Sequence, residues 1–141
     1  MSNLWNSSKK EKTDRIYSIN HITNNKIIPT NRIREFFENI IKPMDVVILE
    51  GDNQKQASFL SKNLAKVNPE KINNLHMVMA NISMPEHLDL FENKIASVID
   101  FCYAGNQSKR LAEMLERKTI KIGSINTYLE LSIKNTHLRE E

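Results

Sequence analysis

Two short turns carry the residue types best suited to bind an anionic ligand. The chain has only three glycines, and two of them, Gly51 and Gly105, each stand between an apolar run and a helical pattern. Glycine lets the backbone approach a ligand closely, and N–H groups at a helix start favour anionic oxygens. We therefore predict that both turns bind a ligand. The candidate residues are Gly51, Asp52, Asn53, Gln54, Lys55, Gly105, Asn106 and Gln107.

The same turns have a structural interpretation, which the residues alone leave open. Glycine between a strand and a helix often meets only a conformational need, and Asp52, Asn53 or Asn106 can cap the helix that follows. The dinucleotide pattern G-x-G-x-x-G and the Walker phosphate loop are both absent from the sequence. The ligand class therefore cannot be named from these residues.

Glu50 is the one candidate for a catalytic carboxylate. It lies at the tip of the first predicted strand, directly before Gly51, where burial would favour the protonated acid. A hydrogen bond to a turn or helix terminus is the simpler explanation of a carboxylate at this position. The sequence pattern also gives no Ser/His/Asp set for nucleophilic catalysis.

The histidines and the single cysteine, Cys102, give no metal-binding pattern. Their spacing matches no zinc motif, so we predict no metal site. His76 falls within a predicted strand and is interpreted as a packed or hydrogen-bonded side chain. His87 is expected on the solvent side of a short helix. Cys102 ends a strand with no histidine beside it, which favours a small buried residue over a nucleophile.

Apolar spacing predicts strands alternating with helices. The run Val46–Leu49 is typical of a strand buried on both faces, and Phe59, Leu60, Leu64 and Val67 form the inward stripe of the next helix. The predicted helices are Asn31–Ile41, Gln54–Val67, Pro85–Phe91 and Asn106–Arg117. The predicted strands are Val46–Leu49, Leu75–Ala80, Ala96–Phe101, Thr119–Ile122 and Tyr128–Ile133.

This alternation predicts an α/β fold with an open, mainly parallel sheet of four to five strands and flanking helices. Residues 1–28 are expected to be a weakly structured lead-in, 29–133 the α/β domain, and 134–141 a charged tail. Gly51 and Gly105 both follow strands. They are thus expected at the carboxyl edge of the sheet, where open α/β sheets bind ligands.

Composition and charge argue against nucleic acid and membranes as partners. The net charge of +3 arises from 20 basic residues interleaved with 17 acidic ones, without the basic face that nucleic-acid binding needs. No apolar run approaches the roughly 20 residues of a membrane span. A secretory signal pattern is absent from the polar start, and a single cysteine suits a reducing compartment. We expect a cytoplasmic protein that binds neither nucleic acid nor membrane.

Beyond these patterns, a long stretch of the chain resembles malonate decarboxylase alpha subunits. The similarity covers roughly residues 26 to 131 without an obvious gap. The segments that carry it are Val47–Ala57, Phe59–Leu60, Leu64–Val67, Leu75–Met77, Pro85–Glu92, Asp100–Phe101, Ala104–Gly105, Gln107–Ser108 and Ile122–Tyr128.

The resemblance implies a domain like those of CoA transferases, with Rossmann-like layering. It also implies that the parent protein moves an acyl carrier protein from acetate to malonate, giving malonyl-carrier protein and acetate. The thiol of the carrier would belong to a covalently attached phosphoribosyl-dephospho-CoA group, which acts as substrate and not as a bound cofactor. The implied partners are the carrier protein and the other malonate decarboxylase subunits.

The sequence also departs from the family pattern. Met44 stands where a glycine is expected before the first strand, and Asn106 where proline is usual. The pattern stops near Leu131, and family members are several times longer, so the glutamate nucleophile of related CoA transferases has no counterpart here. We expect a fragment of the transferase. The alternatives are a non-catalytic module that binds CoA or the carrier protein, and an inactive remnant.

Overall fold

A computed structural model describes residues 2–23, 26–50 and 57–125 of the chain. Among them, the helices are α1 (Ser2–Ser18), α2 (Ile33–Ile40), α3 (Ser58–Leu64), α4 (Pro85–Glu92) and α5 (Ser108–Glu116). The strands are β1 (Val46–Leu49), β2 (Leu75–Met79), β3 (Ala96–Phe101) and β4 (Lys121–Ile125). Short 3₁₀ turns at Thr30–Arg32 and Gly105–Gln107 lead directly into α2 and α5.

The strands form one parallel sheet in the order β1-β2-β3-β4. This confirms the predicted α/β class and the parallel sheet. Each strand adds on the same side of the one before it, and such crossovers are right-handed. Helices α3, α4 and α5 therefore lie on the same face of the sheet, which we call the helix face.

Burial follows this one-sided arrangement. Met77, Met79 and Ile99 point toward the helix face and are at most 1% exposed. They join a single cluster with apolar residues of the helices. The helix residues in the cluster are Ile33, Phe37, Leu64, Leu88, Leu90, Phe91, Leu111 and Met114. Helix α2, which precedes the sheet, thus packs on the same face.

Strand β1 corrects one prediction. It has the predicted bounds, but it is the edge strand of the described sheet, and Val46 and Ile48 are 49% and 59% exposed. The expected burial on both faces is therefore wrong. Phe59 and Leu60 also correct the predicted inward stripe, because both are exposed on α3 while Leu64 and Val67 are buried.

Residues 1–28 were expected to be weakly structured, but residues 2–18 form helix α1. The expectation is wrong for these residues. The helix is tied to the sheet by Arg15, whose guanidinium donates to Asp45 at 2.6 Å, just before β1, and also to Glu11 at 2.5 Å. The predicted fifth strand Tyr128–Ile133 and the predicted tail 134–141 lie outside the described residues.

Candidate functional site

The carboxyl edge of the sheet is held together beyond the strands themselves. After β2 and β3 end, Asn81 and Tyr103 form a further parallel bridge. The amide of Cys102 donates to the carbonyl of Ala80 at 3.0 Å, and the amide of Ile82 donates to Tyr103 at 2.8 Å. The segment that follows β2 and the segment that follows β3 are thus hydrogen-bonded to each other at this edge.

The turn at Gly105 lies at this edge, as predicted. Gly105 has a φ of +47°, and a Cβ there would lie 3.2 Å from Cε1 of Tyr103. The glycine therefore meets a real conformational need. Within the turn, the amides of Gln107 and Ser108 donate to the carbonyls of Ala104 and Gly105. The Tyr103 ring is 66% exposed beside it.

The other predicted turn lies largely outside the described residues. Gly51, Asp52, Asn53, Gln54 and Lys55 are not described. Of the two described residues that flank this segment, the amide of Ala57 donates to the carbonyl of Glu50 at 3.2 Å. Glu50 follows β1 as Cys102 follows β3, and the two strands are parallel in one sheet, so both stand at the carboxyl edge.

Glu50 is not buried, although its proposal as a catalytic carboxylate depended on burial. Its side chain is exposed, so the expected low-polarity environment is absent. A different carboxylate at the same edge is buried instead. Glu86, in the first turn of α4, is 5% exposed.

Glu86 joins α4 to the start of α3. It accepts a short hydrogen bond from the Ser58 hydroxyl, and its Oε1 lies 3.5 Å from Nζ of Lys62. Burial alone would raise the pKa of Glu86, but the hydrogen bond from Ser58, that from its own backbone amide and the charge of Lys62 hold it below the ordinary value. The result is a buried, ionised carboxylate between two helix starts.

His87 overturns its prediction. The side chain expected on the solvent side is fully buried, and neither ring nitrogen has a well-aligned hydrogen bond. Burial lowers the pKa of His87, and the opposing influences of Glu86 and the Asn81 backbone are smaller. The imidazole is therefore neutral at pH 7.

Sequence reasoning missed the Ser58–Lys62–Glu86 cluster. The one available signal was an acidic residue after Pro85 in a first helical turn, where a carboxylate suits the helix dipole. Nothing local indicates that this carboxylate is buried, because Ser58 and Lys62 reach it from a different helix.

His76 is half-buried in β2, and its Nε2 lies 3.1 Å from Oδ2 of Asp100 in the adjacent strand. The short distance is not matched by a well-aligned hydrogen bond, since Nε2 has none. The interpretation of His76 as a packed side chain agrees with this geometry. Cys102 is partly exposed, so full burial was not correct.

Arg110 of α5 forms hydrogen bonds with α4. Its guanidinium donates to Asp89 and Glu92 at 2.6 Å and to the Pro85 carbonyl at 2.8 Å. Arg110 therefore joins α5 to α4. Lys109, beside it on α5, is exposed.

The described residues hold no group of three or more His, Cys, Asp or Glu side chains suited to a metal ion. In the same part of the chain, no helix combines the length and apolar character required to cross a membrane.

The fold defines an α/β domain with a parallel sheet, and the carboxyl edge of such sheets is where ligands commonly bind. A family model described as "Malonate decarboxylase, alpha subunit, transporter" matches residues 4–136. The chain belongs to the malonate decarboxylase alpha subunit family, as the resemblance indicated.

Relatives agree with this assignment. An acetyl-S-ACP:malonate ACP transferase of Malonomonas rubra is 38% identical over 129 residues, which are 91% of this chain and 23% of the relative. The crystal structure of a malonate decarboxylase alpha subunit from Acinetobacter baumannii is 44% identical, with a TM-score of 0.87 over 90% of this chain and 24% of that one.

A Pseudomonas malonate decarboxylase hetero-tetramer in complex with malonate contains a chain that is 43% identical. Its TM-score is 0.88, over 92% of this chain and 24% of that chain. The protein thus spans roughly a quarter of the length of the relatives it matches.

Proposed function

We propose that the chain contributes the thioester-binding edge of a transferase that exchanges acetate for malonate on an acyl carrier protein. In the proposed reaction, acetyl-carrier protein and malonate give malonyl-carrier protein and acetate. The observation that carries the proposal is family membership over residues 4–136 together with the glycine turn at the carboxyl edge.

The geometry suggests how the edge takes part. A thioester exchange needs a pocket for the carrier arm and hydrogen-bond donors for negative oxygens. Two amides of the Gly105 turn are used within the turn, so we assign ligand binding to Gly105, Asn106 and the side chain of Gln107. Gly51 to Lys55 are proposed as the second half of the pocket. No catalytic nucleophile is assigned.

The proposed substrate group is the carrier-attached phosphoribosyl-dephospho-CoA. Tyr103 supports this choice, because an exposed ring beside the turn offers a stacking surface to an adenine. The carrier protein and further malonate decarboxylase subunits are the proposed partners. The α/β domain is proposed to extend over residues 29–133.

Calorimetry with dephospho-CoA tests the binding step. We expect binding by the purified chain and at least a tenfold loss for Gly105→Val, whose branched side chain opposes the positive φ and meets Tyr103. Asn106→Asp keeps the backbone but adds a negative charge, so it weakens binding by repulsion. Met44→Ala, at the opposite end of the sheet, is the control and binds normally.

Mass spectrometry of the carrier separates a transferase part from a binding module. With acetyl-carrier protein and malonate, we expect malonyl-carrier protein only when the remaining alpha-subunit polypeptide is added. Binding of dephospho-CoA without turnover in that mixture would support the non-catalytic module instead. Absence of both would contradict the proposal.

A further inference from the structure

The sheet has a second face that the described helices leave open. Its residues share one side of the strands by register, because Val46 pairs with His76, Ile48 with Val78, and Val78 with Asp100. We call this surface the open face. It consists of Val46, Ile48, His76, Val78, Val98, Asp100 and Lys121 by register, and of Gly123, which faces the side chains of Val98 and Asp100.

Exposure on this face is high on both edge strands, β1 and β4, and lower at the centre. Val46 and Ile48 are 49% and 59% exposed, while Val78, at the centre between Ile48 and Asp100, is buried at 4%. His76 and Val98 are half-buried. Parallel sheets occur almost only with both faces covered. An apolar parallel sheet with helices on one side is therefore an incomplete layer.

The polar residues at the centre restrict what can cover it. His76 Nε2 faces Asp100 Oδ2 at 3.1 Å, and Oδ1 of the same carboxylate packs against the backbone of Gly123, where any Cβ would overlap it. His76 and Asp100 thus form a polar pair at the centre of this face, where their side chains are 34% and 17% exposed. Lys121 at the far strand is the one Lys or Arg of this face. The surface suits an apolar protein layer and offers no basic patch for nucleic acid.

The relatives indicate which protein layer this is. Their chains superimpose on at least 90% of this one, with TM-scores of 0.87 and 0.88, yet this chain covers only 24% of each. We infer that the open face is the docking surface for the part of the alpha subunit that lies outside this chain, and that Val46 and Ile48 are buried in that contact. The inference rests on family membership and does not require the proposed transferase role.

Co-expression tests the docking without any assay of activity. The full 141-residue chain is expressed with a tagged polypeptide that covers the rest of the Pseudomonas alpha subunit, and the tag is captured. We expect stoichiometric capture of the chain and at least a tenfold loss for Ile48→Lys. Leu60→Lys is the matched control, because Leu60 is an exposed leucine on α3, on the helix face, and its capture stays unchanged.

A labelling experiment covers the case in which the tagged polypeptide is insoluble. In a Cys102→Ser background, the Ile48→Cys and Leu60→Cys variants both react with a maleimide in the isolated chain. When the chain is fused into the Pseudomonas subunit in place of the matching region, the Ile48→Cys variant reacts at least tenfold more slowly, and the Leu60→Cys variant keeps its rate. Equal rates for the Ile48→Cys variant in both settings would overturn the inference.

Two further results would also overturn it. One is absence of capture by a soluble tagged polypeptide. The other is a stable dimer of the chain alone that Ile48→Lys dissociates, measured by light scattering, since a second copy would then be the occupant.

Discussion

The two faces of the sheet differ in what holds them. On the helix face, Met77, Met79 and Ile99 are packed to near-zero exposure by α3, α4 and α5. On the open face, Val46 and Ile48 stand largely in solvent. The strands are the same, so the difference comes from topology. Three successive crossovers on one side cover one face of the sheet and leave the other face without a layer of described helices.

The two faces should differ most in how much stability is lost when a side chain is truncated to alanine. Ile99→Ala removes a fully buried side chain and should lower the free energy of unfolding by about 3 kcal/mol. Ile48→Ala should change it by less than about 0.5 kcal/mol, as is usual for exposed positions. Urea denaturation of both variants measures the difference. Similar losses at the two positions would show that the open face is already covered.

Overpacking at Gly123 is the next largest effect. A side chain there overlaps the Asp100 carboxylate and approaches Val98, so Gly123→Val should destabilise the domain by about 2 kcal/mol. Gly123→Val combined with Asp100→Ala should recover part of the loss. If the single variant is neutral by denaturant melts, the described packing of β3 against β4 is incorrect.

Lowering the pH should reduce the free energy of unfolding because His87 is buried on the helix face. Its pKa is lowered in the folded state, so the unfolded chain takes up a proton first as the pH falls below about 6.5. This stability is complete above that pH and is lost as the pH falls toward the folded pKa. Glu86, whose pKa is also lowered, adds a loss below about 4.3.

The contribution of His87 can be isolated by melting curves between about pH 7.5 and 5.5, an interval that spans the ordinary histidine pKa. The wild-type melting temperature should fall over this interval. His87→Leu, which removes the buried imidazole, should give a flatter profile. Identical slopes for the two proteins would contradict the neutral buried state of His87.

The smallest effect is expected at Met44, beside the open face. Met44 has a φ of +69° and is 75% exposed, a conformation that costs a non-glycine residue roughly 1 kcal/mol. Met44→Gly should therefore stabilise the protein by about 0.5–1 kcal/mol in urea melts. Met44→Ala, which keeps the strain, should not. Methionine at position 44, where the family pattern has glycine, thus lowers the stability of the protein slightly.

Local patterns predicted the first three strands closely, but β4 (Lys121–Ile125) begins two residues and ends three residues later than the predicted Thr119–Ile122. β3 has the predicted bounds, and β2 and α4 differ from theirs by one residue, because each is a short apolar segment between clear turn residues. The exposure of β1 was wrong, since strand order is set by distant segments. Helix α1 was missed because its sequence lacks an apolar stripe, and Arg15 binds Asp45, which lies 30 residues away.

The site was predicted in outline only. The sequence located Gly105 at the correct edge, because glycine after a strand is a local signal. It could not locate Glu86 and His87, whose burial depends on α3 packing against α4. The expected roles of Gly51 to Lys55 stay predictions, since those residues lie outside the described part of the chain.

The central claim is that the carboxyl edge binds the carrier-type thioester group. A titration of the isotope-labelled chain with dephospho-CoA, followed by amide chemical shifts, tests it most directly. The predicted result is a cluster of shifts at Asn81, Ile82 and Tyr103 to Gln107, with none near Met44 and Asn74 at the opposite end. Shifts confined to that opposite end, or to Val46 and Ile48 on the open face, would contradict the claim.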